Sequence, residues 1–291
     1  MSKTDGSALT GVSETALMTL VVRATEARRP DSIIDDPMAI KLVDSIDFDF
    51  AKFGYTRRQD MALRALTFDE YTRRYIVDHP SATVVALAEG LQTSFYRLDA
   101  SGVGDQFRWL TVDLPAITEL RDRLLPPSDR VTTIAQSALD FSWMDQVDPS
   151  DGVFITAEGL LMYLQPEEAL GLIAECAKRF PGGQMMFDLP PVFFASWVRG
   201  GSRVSLRYRV PPMPFVLSPS VPVTVTLWPT CLRELTPAAA DSASDSGAIV
   251  SCAIASSFFI ESVFIMGSSF FIESAVFIEF FASATIECVR V

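Results

Sequence analysis

"ATVVALAEGLQTSFYRLD", from Ala82 to Asp99, is the stretch that decides the fold of this chain. It begins as a continuous apolar run, turns at Ala88-Glu89-Gly90 and then becomes amphipathic. A short apolar run that ends at a turn is typical of a buried strand, and the amphipathic part predicts a helix. Strand, turn and helix in this order often cradle a phosphate or a nucleotide, yet this turn has a single glycine where such loops have three. The rest of the sequence must therefore indicate which ligand this loop accepts.

Downstream of Pro80, apolar runs alternate with amphipathic stretches. Near-continuous apolar runs are typical of parallel strands that are covered on both faces, and the stretches between them are long enough for crossover helices. The sequence therefore predicts an α/β fold with a doubly wound, mostly parallel sheet. The predicted strands are "TVVALA", "FRWLTVDL", "RVTTIAQ", "GVFITAE" and "GGQMMFDLPP".

Changes in composition divide the chain into three parts. Residues 1–79 are predicted to form an N-terminal helical cap, because Ser13 and Pro37 open helical patterns as a cap residue and a first-turn proline. Residues 80–218 are predicted to form the ligand-binding core. Residues 219–291 form an atypical tail in which "SSFFIES" occurs at 256–262 and again at 268–274. We expect strands that close the sheet there; the alternatives are a membrane- or partner-binding tail, or a segment read in a shifted frame.

Charge and composition argue against several classes of protein. The formal net charge of −12 offers no basic face for phosphates, so nucleic-acid binding is disfavoured. No signal peptide and no apolar stretch of about 18 residues is apparent, which predicts a cytoplasmic protein without a membrane span. Four cysteines without a C-x-x-C pair and a single histidine, His79, leave few ligands for zinc, so no metal site is predicted. His79 precedes Pro80 and is interpreted as a turn residue.

Acidic residues follow four of the predicted strands: Glu89, Asp113, Asp140 and Glu158. Ligands of doubly wound sheets bind beyond the carboxyl ends of the strands. An acid in the first turn disfavours a pyrophosphate, whereas Asp113 is spaced to accept hydrogen bonds from two ribose hydroxyls. Asp140 can accept from an adenine amine, and Glu89 and Glu158 suit a positively charged sulfonium. S-adenosyl-L-methionine has these groups and no phosphate, so it is the predicted cofactor.

Each acid also has a simpler interpretation. Asp113 could only cap the helix that begins at Pro115, and Asp140 could be a surface turn residue. Glu89 could be a solvated acid of a helix's first turn. Glu158 follows an apolar strand, where a buried carboxylate needs a partner. The occurrence of acids at four strand ends together is what favours a binding site.

Four segments resemble the leucine carboxyl methyltransferase family, and within it the bacterial polyketide-type O-methyltransferases. They are "VVALAEGLQTSFYRLD", "WLTVDLPAITELRDRLLP", "SALDFSWMD" and "TAEGLLMYLQPEEALGLIAECAKRFPGGQMMFD". The resemblance extends from about residue 14 to about residue 219 and includes "YRVPPMPF". It implies a Rossmann-like class I methyltransferase fold with a reversed last strand, and extra N-terminal helices over the active site.

The resemblance also implies roles for single residues on the adenosine side of the cofactor. Asp113, with Leu114 beside it, would hold the ribose. Asp140 and Phe141 would flank the adenine.

On the methionine side, Gly90 would let the backbone approach the cofactor. Ala88 stands where the family usually has a glycine. Arg64, in "ALRALTFDE", matches a family arginine that grips the methionine carboxylate, although the family's "RTR" reads "RAL" here.

The acceptor of the methyl group is predicted to be a carboxylate or a phenol of a small molecule. A carboxylate is ionised at neutral pH and needs no base, whereas a phenol, with a pKa of about 10, needs help in losing its proton. We expect Tyr163 and the N-terminal helices, including Arg64 and Tyr71, to line the acceptor side. The alternative function is a non-catalytic nucleoside-binding protein that uses the same pocket as a sensor or scaffold.

Overall fold

The computed structural model describes residues 3–54, 59–190, 203 and 205–215, and it describes the backbone of residues 223–224, 251–252, 258–266 and 272–280. The predicted cap therefore lies almost wholly within the described residues. Most of the predicted tail lies outside them.

A seven-stranded sheet with the order β6-β7-β5-β4-β1-β2-β3 forms the centre of the molecule. Strands β1 to β5 are parallel, and β7 runs antiparallel to both β5 and β6. The fold is therefore α/β with a mostly parallel sheet and a reversed last strand, which confirms the prediction. The strands are β1 (Thr83–Leu87), β2 (Arg108–Asp113), β3 (Val131–Ala135), β4 (Val153–Ala157), β5 (Gln184–Leu189), β6 (Phe258–Met266) and β7 (Ile272–Phe280).

The order of the strands creates a switch point beside β1. The chain runs outward from β1 to β2 and β3, and then returns to place β4 on the other side of β1. The loops that follow β1 and β4 therefore diverge and leave a crevice at the carboxyl edge of the sheet. Glu89 and Glu158 lie in these two loops.

Six helices are described, together with short 3-10 turns. Proline occupies the first helical position of three of them, where its missing N–H costs nothing. The last helix adds a capping box between Gln165 and Glu168, and basic residues in its final turn. The helices are α1 (Thr15–Ala27), α2 (Pro37–Ser45), α3 (Asp60–Asp78), α4 (Ser94–Ala100), α5 (Pro115–Leu124) and α6 (Pro166–Arg179), and the 3-10 turns are Phe50–Phe53, Phe141–Gln146 and Leu161–Tyr163.

Successive side chains of each strand point to opposite faces of the sheet, and both faces are buried. Val84, Trp109 and Phe154 belong to one cluster together with Phe68 of α3 and Phe95 of α4. Their neighbours along the strands belong to a second cluster that includes side chains of α6. Burial on both faces explains why the strands read as continuous apolar runs.

The predicted cap has two parts in the structure. Side chains of α1 and α2 form a cluster with Leu91 of the first loop and with Ile117 and Leu120 of α5. By contrast, α3 packs on the sheet itself, with Tyr75 near its end stacked on His79. Residues 1–79 thus supply two helices, α1 and α2, that cover the loop after β1. They also supply α3, which belongs to the layer of helices on one face of the sheet. The boundaries of the three parts stay a prediction.

His79 lies at the edge of the sheet opposite the crevice. Its ring is 3.3 Å from the position that a Cβ would take on Gly152, just before β4 begins. Among the described helices, none has the length and the apolar character that a bilayer crossing requires.

Candidate functional site

The loop after β1 has an unusual backbone conformation. Ala88 has a φ of 49° and Gly90 a φ of 61°, in the left-handed region that favours glycine. The N–H of Ala88 donates to the carbonyl of Val112 at 2.7 Å, which ties the loop to β2. A Cβ on Gly90 would lie 3.1 Å from the Cβ of Ala16 in α1. The single glycine of the turn is therefore needed both for its φ and for the close approach of α1.

Two buried arginines donate hydrogen bonds to backbone carbonyls of this loop. Arg23 donates to the carbonyl of Leu91 at 2.8 Å. Arg121 donates to the carbonyls of Gly90 and Gln92, each at 2.9 Å. Both side chains are at least 95% buried, so the hydrogen bonds also satisfy charged groups that would otherwise be costly. The loop is thus preorganised by side chains from α1 and α5.

Replacing Gly90 by alanine is expected to lower the free energy of unfolding by about 1–3 kcal/mol, because the new Cβ meets both an unfavourable φ and Ala16. Urea unfolding measures the change. Gly102→Ala is the matched control, since Gly102 has a φ of 72° and nothing within 4 Å of its added Cβ. An equal loss in both variants would show that the contact with Ala16 has no importance.

Asp113 ends β2 and faces the same loop. Its carboxylate accepts from the N–H of Gly90 and from the N–H of Leu114, both at 2.7 Å. Leu114 is the N-cap residue of α5, and no side-chain cap bond forms there, so the interpretation of Asp113 as a simple helix cap does not describe it. Burial raises the pKa of Asp113 above its ordinary value, against the two backbone hydrogen bonds, which lower it.

Glu89 is buried beneath the loop, where it lines a small cavity together with Gln92 and Glu158. One carboxylate oxygen accepts from Thr111 at 2.6 Å and from the Trp109 indole at 3.2 Å, and it pairs with Arg121 at 2.9 Å. The other oxygen, Oε1, has no hydrogen-bond partner. Glu89 is therefore no solvated first-turn acid, and Arg121 compensates its charge. Its role as a cofactor ligand stays a prediction.

Glu158 belongs to a buried charge cluster at the crevice, together with Arg64 of α3 and Asp188 of β5. The Arg64 Nε lies 2.8 Å from the Glu158 carboxylate, and another guanidinium nitrogen lies 3.4 Å from Asp188. All three side chains are at least 92% buried. Burial raises the pKa of Asp188, although Arg64 acts to lower it. Arg64 thus connects the loop after β4 with the end of β5.

Three predicted adenosine-side residues are exposed to solvent. Leu114 is 46% and Phe141 37% exposed. Asp140 is also exposed, and its carboxylate accepts from the N–H of Ser142 at 3.2 Å, so it caps a short turn. Because Asp113 pairs with Ala135 across β2 and β3, the loops that carry these residues leave from neighbouring strands.

The two predicted acceptor-side tyrosines pack against different apolar clusters. Tyr163 is half-buried between the cluster of α6 and the cluster of α1 and α2. Tyr71 packs in the cluster between α3 and the sheet, with the Arg74 guanidinium 5.3 Å from its ring. The structure does not bring Tyr71 and Tyr163 together in one cluster. Their roles stay predictions.

Several residues of the site were missed by the sequence analysis. Asp188 follows the same rule as the other strand-end acids, because it lies near the end of "MMFDL", and that rule could have identified it. Gln92 carries no such signal. The buried arginines of the helices, which hold the loop and its neighbours, look like ordinary solvated charges in the sequence. The side chains concerned are those of Arg23, Arg97 and Arg121.

Comparison with known proteins gives a family. A model described as leucine carboxyl methyltransferase matches residues 16–177. The chain is 37% identical over 183 residues to the tetracenomycin polyketide synthesis O-methyltransferase TcmP of Streptomyces glaucescens, an alignment that covers 62% of this chain and 66% of the relative. It is 27% identical over 202 residues to the S-adenosyl-L-methionine-dependent methyltransferase dpfgK of Gibberella zeae, with coverages of 62% and 67%. The chain thus spans about two thirds of the length of these relatives.

A solved structure with a similar arrangement is that of human N-acetylserotonin methyltransferase in complex with SAM. The TM-score is 0.40 at 11% sequence identity, and the match covers 93% of this chain and 67% of that chain. The assignment of the fold rests on the strand order given above.

Proposed function

This chain belongs to the leucine carboxyl methyltransferase family, and on this premise we propose that it transfers the methyl group of S-adenosyl-L-methionine to an oxygen atom of a small molecule. The observation that carries the proposal is the grouping of Asp113, Gly90 and the Arg64–Glu158–Asp188 cluster at the switch point of the sheet. These groups match the chemistry of an adenosine that carries an amino acid and no phosphate.

The residues present fit this cofactor at its ribose. The ionised Asp113 carboxylate already accepts two backbone N–H groups, and its oxygens have further lone pairs for hydroxyl donors. Beside it, Leu114 and Phe141 expose apolar surface that suits the faces of an adenine. Asp140 is within the same turn as Phe141 and would accept from the exocyclic amine.

The amino-acid end fits the charge cluster. Arg64 would bind the carboxylate of the methionine part through charge-assisted hydrogen bonds. Glu158 and Asp188, the two carboxylates beside Arg64, would pair with the ammonium group of the methionine part. The backbone of Ala88 and Gly90 would contact this end of the cofactor. Glu89 would hold the loop in place through its hydrogen bond with Thr111.

The bound cofactor supplies a methyl carbon that is activated by a positively charged sulfur. An ionised acceptor oxygen would take this methyl group, and the sulfur would keep the electron pair of the broken carbon–sulfur bond. The chain's own task is to hold the acceptor in line and to exclude water. A carboxylate or a phenol is the proposed acceptor, with Tyr163 and, less directly, Tyr71 on its side of the site.

The wider setting of this activity is also part of the proposal. We propose a small-molecule acceptor of secondary metabolism, no nucleic-acid partner in view of the net charge of −12, and action in the cytoplasm. The name of the Streptomyces relative, which refers to polyketide synthesis, supports the first of these.

Two assays test the proposal. Isothermal titration calorimetry with S-adenosylmethionine and with S-adenosylhomocysteine should give saturable binding. Release of S-adenosylhomocysteine is then followed over a panel of carboxylic acids and phenols, with a heat-inactivated sample as control. Binding without turnover on any acceptor would favour the nucleoside-binding scaffold, and absence of binding would refute the cofactor assignment.

Cofactor binding is expected to tighten as the pH rises through the raised pKa of Asp113. Burial raises this pKa, and only the ionised form accepts from both ribose hydroxyls, so affinity is lost below that pKa and reaches a plateau above it. Calorimetry with S-adenosylhomocysteine over a pH series that starts at the ordinary pKa of an aspartate, about 3.9, and rises to neutrality measures the effect. Asp113→Asn should flatten this dependence; an unchanged pH profile in the variant would exclude Asp113 as its source.

A further inference from the structure

Gln92 lies between the first loop and the charge cluster, and neither its position nor its type suggests a role. Its side chain is about 94% buried. The amide nitrogen donates to the Glu158 carboxylate, and the backbone carbonyl accepts from Arg121. Gln92 thus connects the loop after β1 to the cluster after β4, across the switch point.

The contact with Glu158 is made at the oxygen that also binds Arg64. Oε1 of Glu158 accepts from the Gln92 amide and, at 2.8 Å, from Nε of Arg64. A second nitrogen of the same guanidinium lies 3.4 Å from Asp188. Because a guanidinium is planar, contacts at two of its nitrogens set the plane of the group. The orientation of Arg64 therefore depends on where Glu158 is held.

We propose that Gln92 is a positioning residue that holds Glu158 against Arg64, and thereby orients the Arg64 guanidinium for the carboxylate at the amino-acid end of the cofactor. This inference rests on the proposed function. It assigns Gln92 a task that requires no contact with the cofactor.

The amide is suited to this task by its charge. A neutral N–H donor fixes the carboxylate without adding a positive charge that would compete with Arg64 for it. An apolar side chain in the same place would leave one contact of a buried carboxylate unmade, at the cost of a lost hydrogen bond to a charged group. A carboxylate there would repel Glu158.

Glu158 fixes which way the Gln92 amide points, because a carboxylate only accepts hydrogen bonds, and the amide oxygen then faces a small cavity. Gln92 and Glu89 both line this cavity, which has room for about one water molecule. Oε1 of Gln92 and Oε1 of Glu89 are buried and have no hydrogen-bond partner. One water in the cavity would be able to donate a hydrogen bond to each oxygen, and buried polar groups require such partners. With its oxygen on the cavity side, the amide presents its N–H to Glu158.

The test compares two ligands that differ only at the end in question. S-adenosylhomocysteine has the amino-acid carboxylate, whereas 5′-methylthioadenosine lacks the amino acid. We expect Gln92→Met to raise the Kd of S-adenosylhomocysteine about fivefold or more, because a hydrogen bond to a charged group is lost, and to leave the Kd of methylthioadenosine within about twofold. Calorimetry gives both constants. Gln92→Asn, which shortens the amide, is a second variant in case the first fails to fold.

Two further variants make the result decisive. Thr111→Val is the matched control, since Thr111 is also buried and its hydroxyl donates to Glu89. This variant should change the Kd values of the two ligands by the same factor. Arg64→Met should weaken S-adenosylhomocysteine at least tenfold, and adding Gln92→Met to it should weaken binding little further.

Each outcome has one meaning. If Gln92→Met weakens both ligands equally, or neither, while Arg64→Met weakens S-adenosylhomocysteine, the positioning role is wrong and the proposed function stands. If the wild-type protein binds neither ligand, the proposed function itself fails. An additive loss in the double variant would mean that Gln92 acts independently of Arg64, which also overturns the inference.

Discussion

Replacing Arg97 by methionine is expected to lower the free energy of unfolding by about 3–5 kcal/mol, the usual result of removing one partner from a buried ion pair. Arg97 is 92% buried and binds Asp69 at 2.6 Å and Asp36 at 2.7 Å. It also donates to the hydroxyls of Thr93 and Ser94. Burial disfavours the charged form of Arg97 and so acts to lower its pKa. The two carboxylates outweigh this effect and raise the pKa above the ordinary value. Without the guanidinium, these two buried carboxylates would lose a cation.

Urea unfolding followed by circular dichroism measures this change. Arg123→Met is the matched control: Arg123 pairs with Glu119 at 3.7 Å on the surface, both are at least 65% exposed, and we expect a change of no more than about 0.5 kcal/mol. Arg97→Lys keeps the charge but loses the forked geometry, so its effect should be intermediate. If Arg97→Met unfolds at the same urea concentration as the wild-type protein, the cluster does not stabilise the fold.

Replacing Asp113 by alanine is expected to raise the Kd of S-adenosylhomocysteine at least tenfold. The loss of a charged partner for two ribose hydroxyls typically costs about 1.5–3 kcal/mol, and 1.4 kcal/mol corresponds to a factor of ten. The N–H groups of Gly90 and Leu114 would lose their acceptor as well, so the loop that faces the cofactor would be less ordered. Isothermal titration calorimetry gives the constant directly.

The control for this variant is Asp148→Ala. Asp148 is exposed and its carboxylate also accepts a backbone N–H, that of Ser150 at 3.0 Å, but it lies in the loop before β4. We expect it to bind the cofactor like the wild-type protein. An unchanged affinity in Asp113→Ala would show that Asp113 does not bind the cofactor. Its role would then be limited to the hydrogen bonds that it accepts from the backbone of the loop.

Much of the fold could be predicted because its signals are local. The apolar runs of β1, β2 and β4 are continuous, since both faces of the sheet are covered. Pro37, Pro115 and Pro166 mark helix starts, because a proline is tolerated at the first helical position. The order of the strands required more than local patterns, and the family resemblance supplied the expectation of a reversed last strand.

The site was only partly predictable, for a geometric reason. The strand-end rule selected Asp113 and Glu158, which the structure places at the carboxyl edge of the sheet and buries. The same rule also selected Glu89, whose carboxylate binds Thr111 and Arg121 beneath the loop and whose role as a cofactor ligand stays a prediction. A rule based on position along a strand says where a residue's backbone lies, but not which way the side chain points.

By itself, the sequence determined the alternation of strands and helices, the acids at the ends of the strands and the single glycine of the first loop, because each of these depends on neighbours within a few residues. Only the tertiary structure decided which charges became partners. Arg64 meets Glu158 94 positions away, and Arg23 meets the carbonyl of Leu91 68 positions away. A buried charge is stable only when folding brings a partner to it, and no local pattern records where that partner lies along the chain.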